Sequence, residues 1–174
     1  AYAGHLLIGT NFSGVVNGQY TFAYDSSFYP ASITLEGTDA TTLAFNNDGE
    51  LTAYGPFSIR RNGPVGSVDR IGDGTLQVSY TYDEYGRVVS RSHVVNGVPI
   101  YAAQSSYDLV DRLRSKNETK AGSTNMLRYV YNADGELRSV SRNDVETEEY
   151  DYDANRNRTS ASRKASDSKV ATYD

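Results

Sequence analysis

The chain has 174 residues, 17 Lys and Arg against 22 Asp and Glu, a net charge of −5, and 38% hydrophobic content that includes 15 Tyr and 5 Phe but no Trp. The absence of Cys excludes a disulfide framework and thiolate chemistry. No stretch approaches the roughly 20 consecutive apolar residues that span a bilayer. The one basic run, Arg156, Arg158, Arg163, Lys164 and Lys169, sits among Glu148, Glu149, Asp151 and Asp153 and reads as a solvated strand face rather than a nucleic-acid site.

In chain order, residues 1–19 read as a leading hairpin, turned by Val16-Asn17-Gly18-Gln19. His5 to Ile8 holds only a short apolar run with no basic region before it, so no secretion signal is read there. From Tyr20 onward a short phrase recurs: an aromatic residue, any residue, Tyr-Asp, two residues, Gly, a charged residue and an aliphatic one. Its clearest copies are Tyr80-Thr81-Tyr82-Asp83-Glu84-Tyr85-Gly86-Arg87-Val88 and Tyr129-Val130-Tyr131-Asn132-Ala133-Asp134-Gly135-Glu136-Leu137. A third begins at Tyr150-Asp151-Tyr152-Asp153. With the second aromatic as anchor, the copies stand at Tyr24, Phe45, Tyr82, Tyr107, Tyr131, Tyr152 and Tyr173, with Tyr80, Tyr129 and Tyr150 at the first aromatic position. Their spacings are 21, 37, 25, 24, 21 and 21 residues. The long step holds a faded copy at Phe57-Ser58-Ile59, followed by Gly63 and Val65. A period of this length marks an array of supersecondary units that bury their apolar faces against one another.

The phrase encodes a hairpin. Asp83 and Gly86 occupy the first and fourth positions favoured in a type I turn, and Gly49 and Gly135 hold the same glycine place. A left-handed residue after such a turn connects two antiparallel strands. Tyr82 then faces Val88, Tyr107 faces Leu113 and Tyr131 faces Leu137, while Asp83 and Asp108 meet Arg87 and Arg112. Asp111 and Arg156 stand where Gly is expected, and Arg156 should cost about 1–2 kcal/mol there. Val95-Asn96-Gly97-Val98 predicts a tight hairpin at the opposite end, and Asn117–Asn125 and Lys164–Lys169 read as polar loops. Asp108–Lys116 could imitate a helical turn, but its place in the repeat predicts a hairpin. The expected fold is all-β: an antiparallel meander of tandem hairpins forming a curved or spiralling sheet. One array of seven to eight degenerate copies covers residues 20–174, the last copy cut short at Tyr173-Asp174, as in a piece of a longer array.

Catalytic signatures are missing. His5 and His93 lie far apart, and no nucleophile elbow, phosphate loop or zinc-protease helix is present. Asp151-x-Asp153-x-Asn155 resembles the start of a calcium loop, but Arg156 and Ser162 stand where Gly and Glu are required. We therefore expect no catalytic residue, metal or cofactor. Asn11, Asn117 and Asn157 head N-glycosylation patterns, which matter only in a eukaryotic secretory pathway. The aromatic rows read first as packing and second as a sugar-stacking surface. Tyr85, Tyr101 and Tyr29 fall outside the repeated aromatic positions, and Tyr85, at a turn tip, is the candidate carbohydrate contact.

The phrases at Tyr80–Val88 and Tyr150–Asn155 resemble tyrosine-aspartate (YD) repeats of bacterial rearrangement-hotspot proteins, polymorphic toxins, toxin-complex subunits and teneurins. The resemblance runs from about Tyr20 to Asp174. It implies a β-sheet strip that spirals into a hollow shell, enclosing a toxin or serving as an extracellular scaffold, in a secreted or cell-surface protein, bacterial rather than eukaryotic. The family's Asp-Pro self-cleavage motif is absent: none of Pro30, Pro56, Pro64 and Pro99 follows Asp. The implied role is a non-catalytic wall segment, with carbohydrate binding as the alternative. Its implied partners are other YD repeats of the same protein, a glycan under the alternative, and further copies of the chain joined through free strand edges, with no nucleic acid and no membrane insertion.

Overall fold

A computed structural model describes residues 1–36, 38–163 and 169–172; for 169–172 only the backbone is described. Tyr173 and most of the Lys164–Lys169 stretch therefore lie outside the described residues. Two compact units divide the chain, residues 1–77 and 78–174.

The first unit opens with a two-stranded pair, β1 (Tyr2–Ala3) and β2 (Leu6–Leu7). An antiparallel meander follows: β3 (Gly9–Phe12), β4 (Gly18–Tyr24), β5 (Pro30–Leu35), β6 (Thr41–Phe45), β7 (Leu51–Tyr54), β8 (Phe57–Arg60) and β9 (Arg70–Gly72). Each strand pairs with the next. Strand β10 (Leu76–Tyr82) crosses the unit boundary.

The second unit continues with β11 (Val88–Val95), β12 (Val98–Tyr107), β13 (Leu113–Lys120), β14 (Ser123–Tyr131), β15 (Leu137–Arg142), β16 (Val145–Tyr152), β17 (Arg158–Arg163) and β18 (Lys169–Thr172). These too pair in chain order, always antiparallel. The expected all-β meander is thus the observed architecture, and no α-helix occurs among the described residues. Asp108–Lys116 forms a hairpin turn and a strand rather than a helical turn.

In the second unit the turns from β11 to β17 alternate between two chemistries. At one end lie two-residue connections whose residues both sit at positive φ: Asn96-Gly97 (50° and 77°), Ala121-Gly122 (49° and 79°) and Asn143-Asp144 (50° and 65°). Such mirror-image turns match the right-handed twist of the flanking strands. At the other end lie the turns of the repeated phrase.

Three expectations are corrected. Asn117–Asn125 is not a loop: both strands run through it to the Ala121-Gly122 turn. Strand length here follows the pairing partners, and polar residues persist because the sheet is open to solvent; Thr119 and Thr124 pair their hydroxyls at 2.7 Å. Val16-Asn17-Gly18 does not make a two-residue turn. Phe12 pairs with Gly18, leaving a loop over 13–17 that Asn17 Oδ1 braces by accepting from the Gly14 amide at 3.0 Å. Gly18 lies under the Phe12 ring, where a Cβ would meet ring carbon at 2.4 Å. Finally, Phe57–Val65 is not a copy of the phrase. Gly63 is extended (φ −80°) rather than left-handed, and β8 returns to β9 through a loop held by Arg60 and Asp69.

Burial is sparse. Among the described residues only Gly9, Ala103, Ser139 and Val140 are buried. Each unit's meander must therefore draw its cohesion from strand pairing and from contacts between neighbouring side chains.

Candidate functional surface: the repeat lattice

Six phrase turns share one geometry, at residues 25–29, 46–50, 83–87, 108–112, 132–136 and 153–157. In each, the amide of the first residue donates to the carbonyl of the fifth at 2.9–3.0 Å, and the amide of the fourth donates back to the first carbonyl at 3.0–3.3 Å. The fourth residue is left-handed throughout: Phe28, Gly49, Gly86, Asp111, Gly135 and Arg156 have φ between 65° and 85°. Where the register of the flanking strands is resolved, the pairing slips by one residue just before the anchor, at Tyr24, Phe45, Tyr107, Tyr131 and Tyr152. That bulge places Tyr107 opposite Leu113 and Tyr131 opposite Leu137, as the phrase predicts.

The first turn residue must be Asp or Asn because its side chain fills the turn. Asp83 Oδ1 accepts from the Tyr85 and Arg87 amides, both at 3.0 Å. Asp25, Asn46, Asp108 and Asp153 each accept from the same two positions. In every turn but that at Asp25 the second oxygen or nitrogen reaches the fifth side chain, and the partners change together. Asp83 and Asp108 take Arg87 and Arg112 Nε at 2.7 Å; Asn46 and Asn132 donate to Glu50 and Glu136; Asp153 accepts from Asn157. Burial pushes the Asp83 and Asp108 carboxyls up, but the hydrogen bonds from the arginines and the turn amides prevail and hold both below the usual carboxylate value.

The anchors then tie one copy to the preceding one. Tyr107 Oη donates to the Val88 carbonyl at 2.9 Å, Tyr131 to Leu113 at 2.9 Å and Tyr152 to Leu137 at 3.0 Å. In every case the acceptor is the aliphatic residue closing the preceding phrase. Tyr24 makes the equivalent bond to Leu7 at 2.8 Å. Phe45 has no hydroxyl and instead stacks on Tyr29, centroids 5.1 Å apart. The turn arginines reach in the same direction: Arg87 lies 4.8 Å over the Tyr107 ring and Arg112 4.6 Å over the Tyr131 ring. Arg87 also binds Asp111 Oδ1 at 2.6 Å, in the next turn. These links between copies are absent from the sequence reading, which assigned the arginines only to ion pairs within a hairpin. The signal was available in the preference for Tyr over Phe at the anchors, because a half-buried hydroxyl needs a partner.

The remaining candidates take ordinary places. Tyr80 and Tyr101 flank Arg91, each ring centroid 5.8 Å from its guanidinium. His93 accepts from Arg91 Nε at 2.8 Å and packs on Tyr101; burial, then the Arg91 charge, lowers its pKa. His5 belongs to the other unit. Asp151 accepts from Ser160 and Asp153 closes its own turn, so the calcium-like spacing is spent on hairpin bonds. Tyr129 is half-buried and Tyr150 donates to Glu148. Tyr85 is 71% exposed at its turn tip.

The sequence profile of the Teneurin YD-shell matches residues 3–174. The chain belongs to the teneurin YD-shell family. It is 29% identical over 154 residues to human Teneurin-4, covering 83% of this chain, and 26% identical over 133 residues to Teneurin-m of Drosophila melanogaster, covering 74%. It spans only 5% of the length of either relative. Among solved structures, TcdB2-TccC3 superposes with a TM-score of 0.74 and TcdB2-TccC3-Cdc42 with 0.73, each over 91% of this chain and 10% of the other. At 14% identity these two matches establish likeness of fold.

Proposed function

We propose that this chain is a length of wall: a non-catalytic YD-shell segment of a secreted or cell-surface protein, whose copies enclose space or scaffold contacts. The observation that carries this is the bond, repeated in three successive copies, from the anchor hydroxyl of Tyr107, Tyr131 and Tyr152 to the closing carbonyl of the preceding phrase. The conspicuous polar side chains of the lattice, Asp83, Arg87, Asp108, Arg112 and Asn132, are engaged in holding turns and neighbours. Among the described residues β3 and β18 stand at the ends of the strand order. Ala1 occupies the outer edge of β3 only at Gly9, and an edge left open invites a further strand. Other YD repeats of the same protein supply that strand in the parent, and a second copy supplies it in the isolated chain.

The test is electron microscopy of the parent protein beside an activity screen of this chain. A hollow β-walled particle, disrupted when Tyr107, Tyr131 and Tyr152 are replaced together, supports the reading. Turnover of a substrate that one side-chain substitution abolishes, with the fold intact, refutes it. Light scattering after size exclusion examines the edges: self-association is expected, and a monomer at high micromolar concentration counts against it.

A further inference from the structure

The six equivalent turns act as internal controls for one another. Their second and third positions are the tips, which make no contribution to the turn beyond backbone. Four tips are small or polar: Ser26-Ser27, Asn47-Asp48, Ala133-Asp134 and Ala154-Asn155. Two successive tips depart from this, with Glu84-Tyr85 and Leu109-Val110. Turn geometry does not require the change, because all six turns make the same bonds. Nor does packing, because Tyr85 is 71% exposed, Leu109 fully exposed at 102% and Val110 65% exposed.

Bulky apolar groups left in solvent, side by side, mark an interaction surface. Tyr85, Arg87, Tyr107 and Leu109 line one groove of about 220 Å³ between the two turns. Arg87 is clamped between the Tyr85 and Tyr107 rings, 4.8 Å from each centroid, which fixes Tyr85 before any partner arrives. Rigid aromatic side chains of this kind anchor protein interfaces at low entropic cost. On its far side Leu109-Val110 borders a second, shallower groove that includes Arg112 and Arg114.

Charge narrows the occupant. Asp83, Asp108 and Asp111 are paired with Arg87 and Arg112. Two exposed charges at the surface have no ion-pair partner among the described residues: Glu84 beside Tyr85, and Arg114 beside Leu109-Val110. We infer that the Tyr85–Leu109–Val110 tips form a docking surface for a polypeptide segment that presents apolar side chains, with a Lys or Arg toward Glu84 and an Asp or Glu toward Arg114. A glycan fits less well. One face of Tyr85 is already covered by Arg87, the Asp108 and Asp111 carboxylates that also line the groove are held by Arg112 and Arg87, and the neighbouring tip is aliphatic.

The experiment is selection of a random peptide library against the purified chain, followed by affinity measurement of the selected peptides. The comparison variant is Leu109→Asn/Val110→Asp, which installs the tip that Asn47-Asp48 already tolerates in an identical turn. Circular dichroism matching the unsubstituted chain verifies its fold. Peptides with apolar residues flanked by opposite charges should emerge and weaken about tenfold or more on that variant and on Tyr85→Ser. Glu84→Lys should shift the selected flank from basic to acidic. Recovery of no peptide, or of peptides indifferent to the tip substitutions, overturns the inference. So does binding on a glycan panel that depends on Tyr85 but not on Leu109. Self-association abolished by Leu109→Asn/Val110→Asp would identify a second copy as occupant, and would likewise overturn it.

Discussion

Replacing Tyr131 by Phe removes a single atom from the lattice. The ring, its place opposite Leu137 and its contact with the Arg112 guanidinium at 4.6 Å remain. What is lost is the 2.9 Å bond to the Leu113 carbonyl, the direct tie from this copy to the one before. A net intramolecular hydrogen bond is worth about 0.5–1.5 kcal/mol, and the partial solvent access of this one places it near 1 kcal/mol. Tyr107→Phe and Tyr152→Phe remove equivalent bonds of 2.9 and 3.0 Å, so each should cost about the same. Each hydroxyl has its own acceptor, but Leu113 and Leu137 each face one anchor and accept from the next. Simple addition puts the triple variant at about 3 kcal/mol, and a departure from that sum measures the coupling between neighbouring copies. Urea unfolding followed by circular dichroism reads the loss, with Tyr85→Phe as the control, because that exposed hydroxyl ties nothing. If Tyr131→Phe and Tyr85→Phe unfold at the same midpoint, the lattice is not held by anchor hydroxyls and the account of cohesion fails.

Left-handed turn positions give opposite substitutions opposite signs. Gly86→Ala should destabilise by about 1–2 kcal/mol through backbone strain alone, since open space surrounds its Cβ. Gly135→Ala should cost more, because its Cβ would also meet Arg112 Nη1 at 3.2 Å. Arg156→Gly, at φ 68°, should raise stability by up to about 1 kcal/mol in the same urea assay. Alkaline pH should loosen the second unit. Burial raises the Tyr129 and Tyr131 phenols and the Glu148 hydrogen bond raises Tyr150, all above the ordinary value of 10.0. A raised folded pKa contributes stability fully present below the unfolded value and lost as pH climbs through the folded one. Unfolding midpoints should hold steady to about pH 10 and fall beyond it; a midpoint already falling from pH 8 would contradict this.

The hairpins were legible because their signals are local. Asp or Asn at the head of the turn and a left-handed residue three places later, Gly135 in one turn and Asp111 in another, fix backbone geometry within five residues, so Tyr107–Leu113 and Tyr131–Leu137 follow by counting. Two features were not legible for the opposite reason. The links from Tyr107, Tyr131 and Tyr152 to Val88, Leu113 and Leu137 join residues 15–19 apart, and nothing in either phrase alone names the carbonyl that will accept. The polarity of Asn117–Asn125 points to a loop, yet two paired strands run through it. In a sheet with so few buried residues, polar strands such as Leu113–Lys120 are held by their neighbours and need no apolar face of their own. The Phe57–Val65 segment kept the spacing of the phrase but not its Asp, and without that side chain to gather the turn amides the chain took another path.

The acceptor for the Tyr24, Tyr107, Tyr131 and Tyr152 phenols is a peptide carbonyl, a group that every amino acid carries. A phrase can therefore be duplicated, deleted or exchanged without a matching change in the phrase it joins. Lineages that lengthen or reshuffle such a strip need conserve only the donor, while the surface it displays is free to diversify.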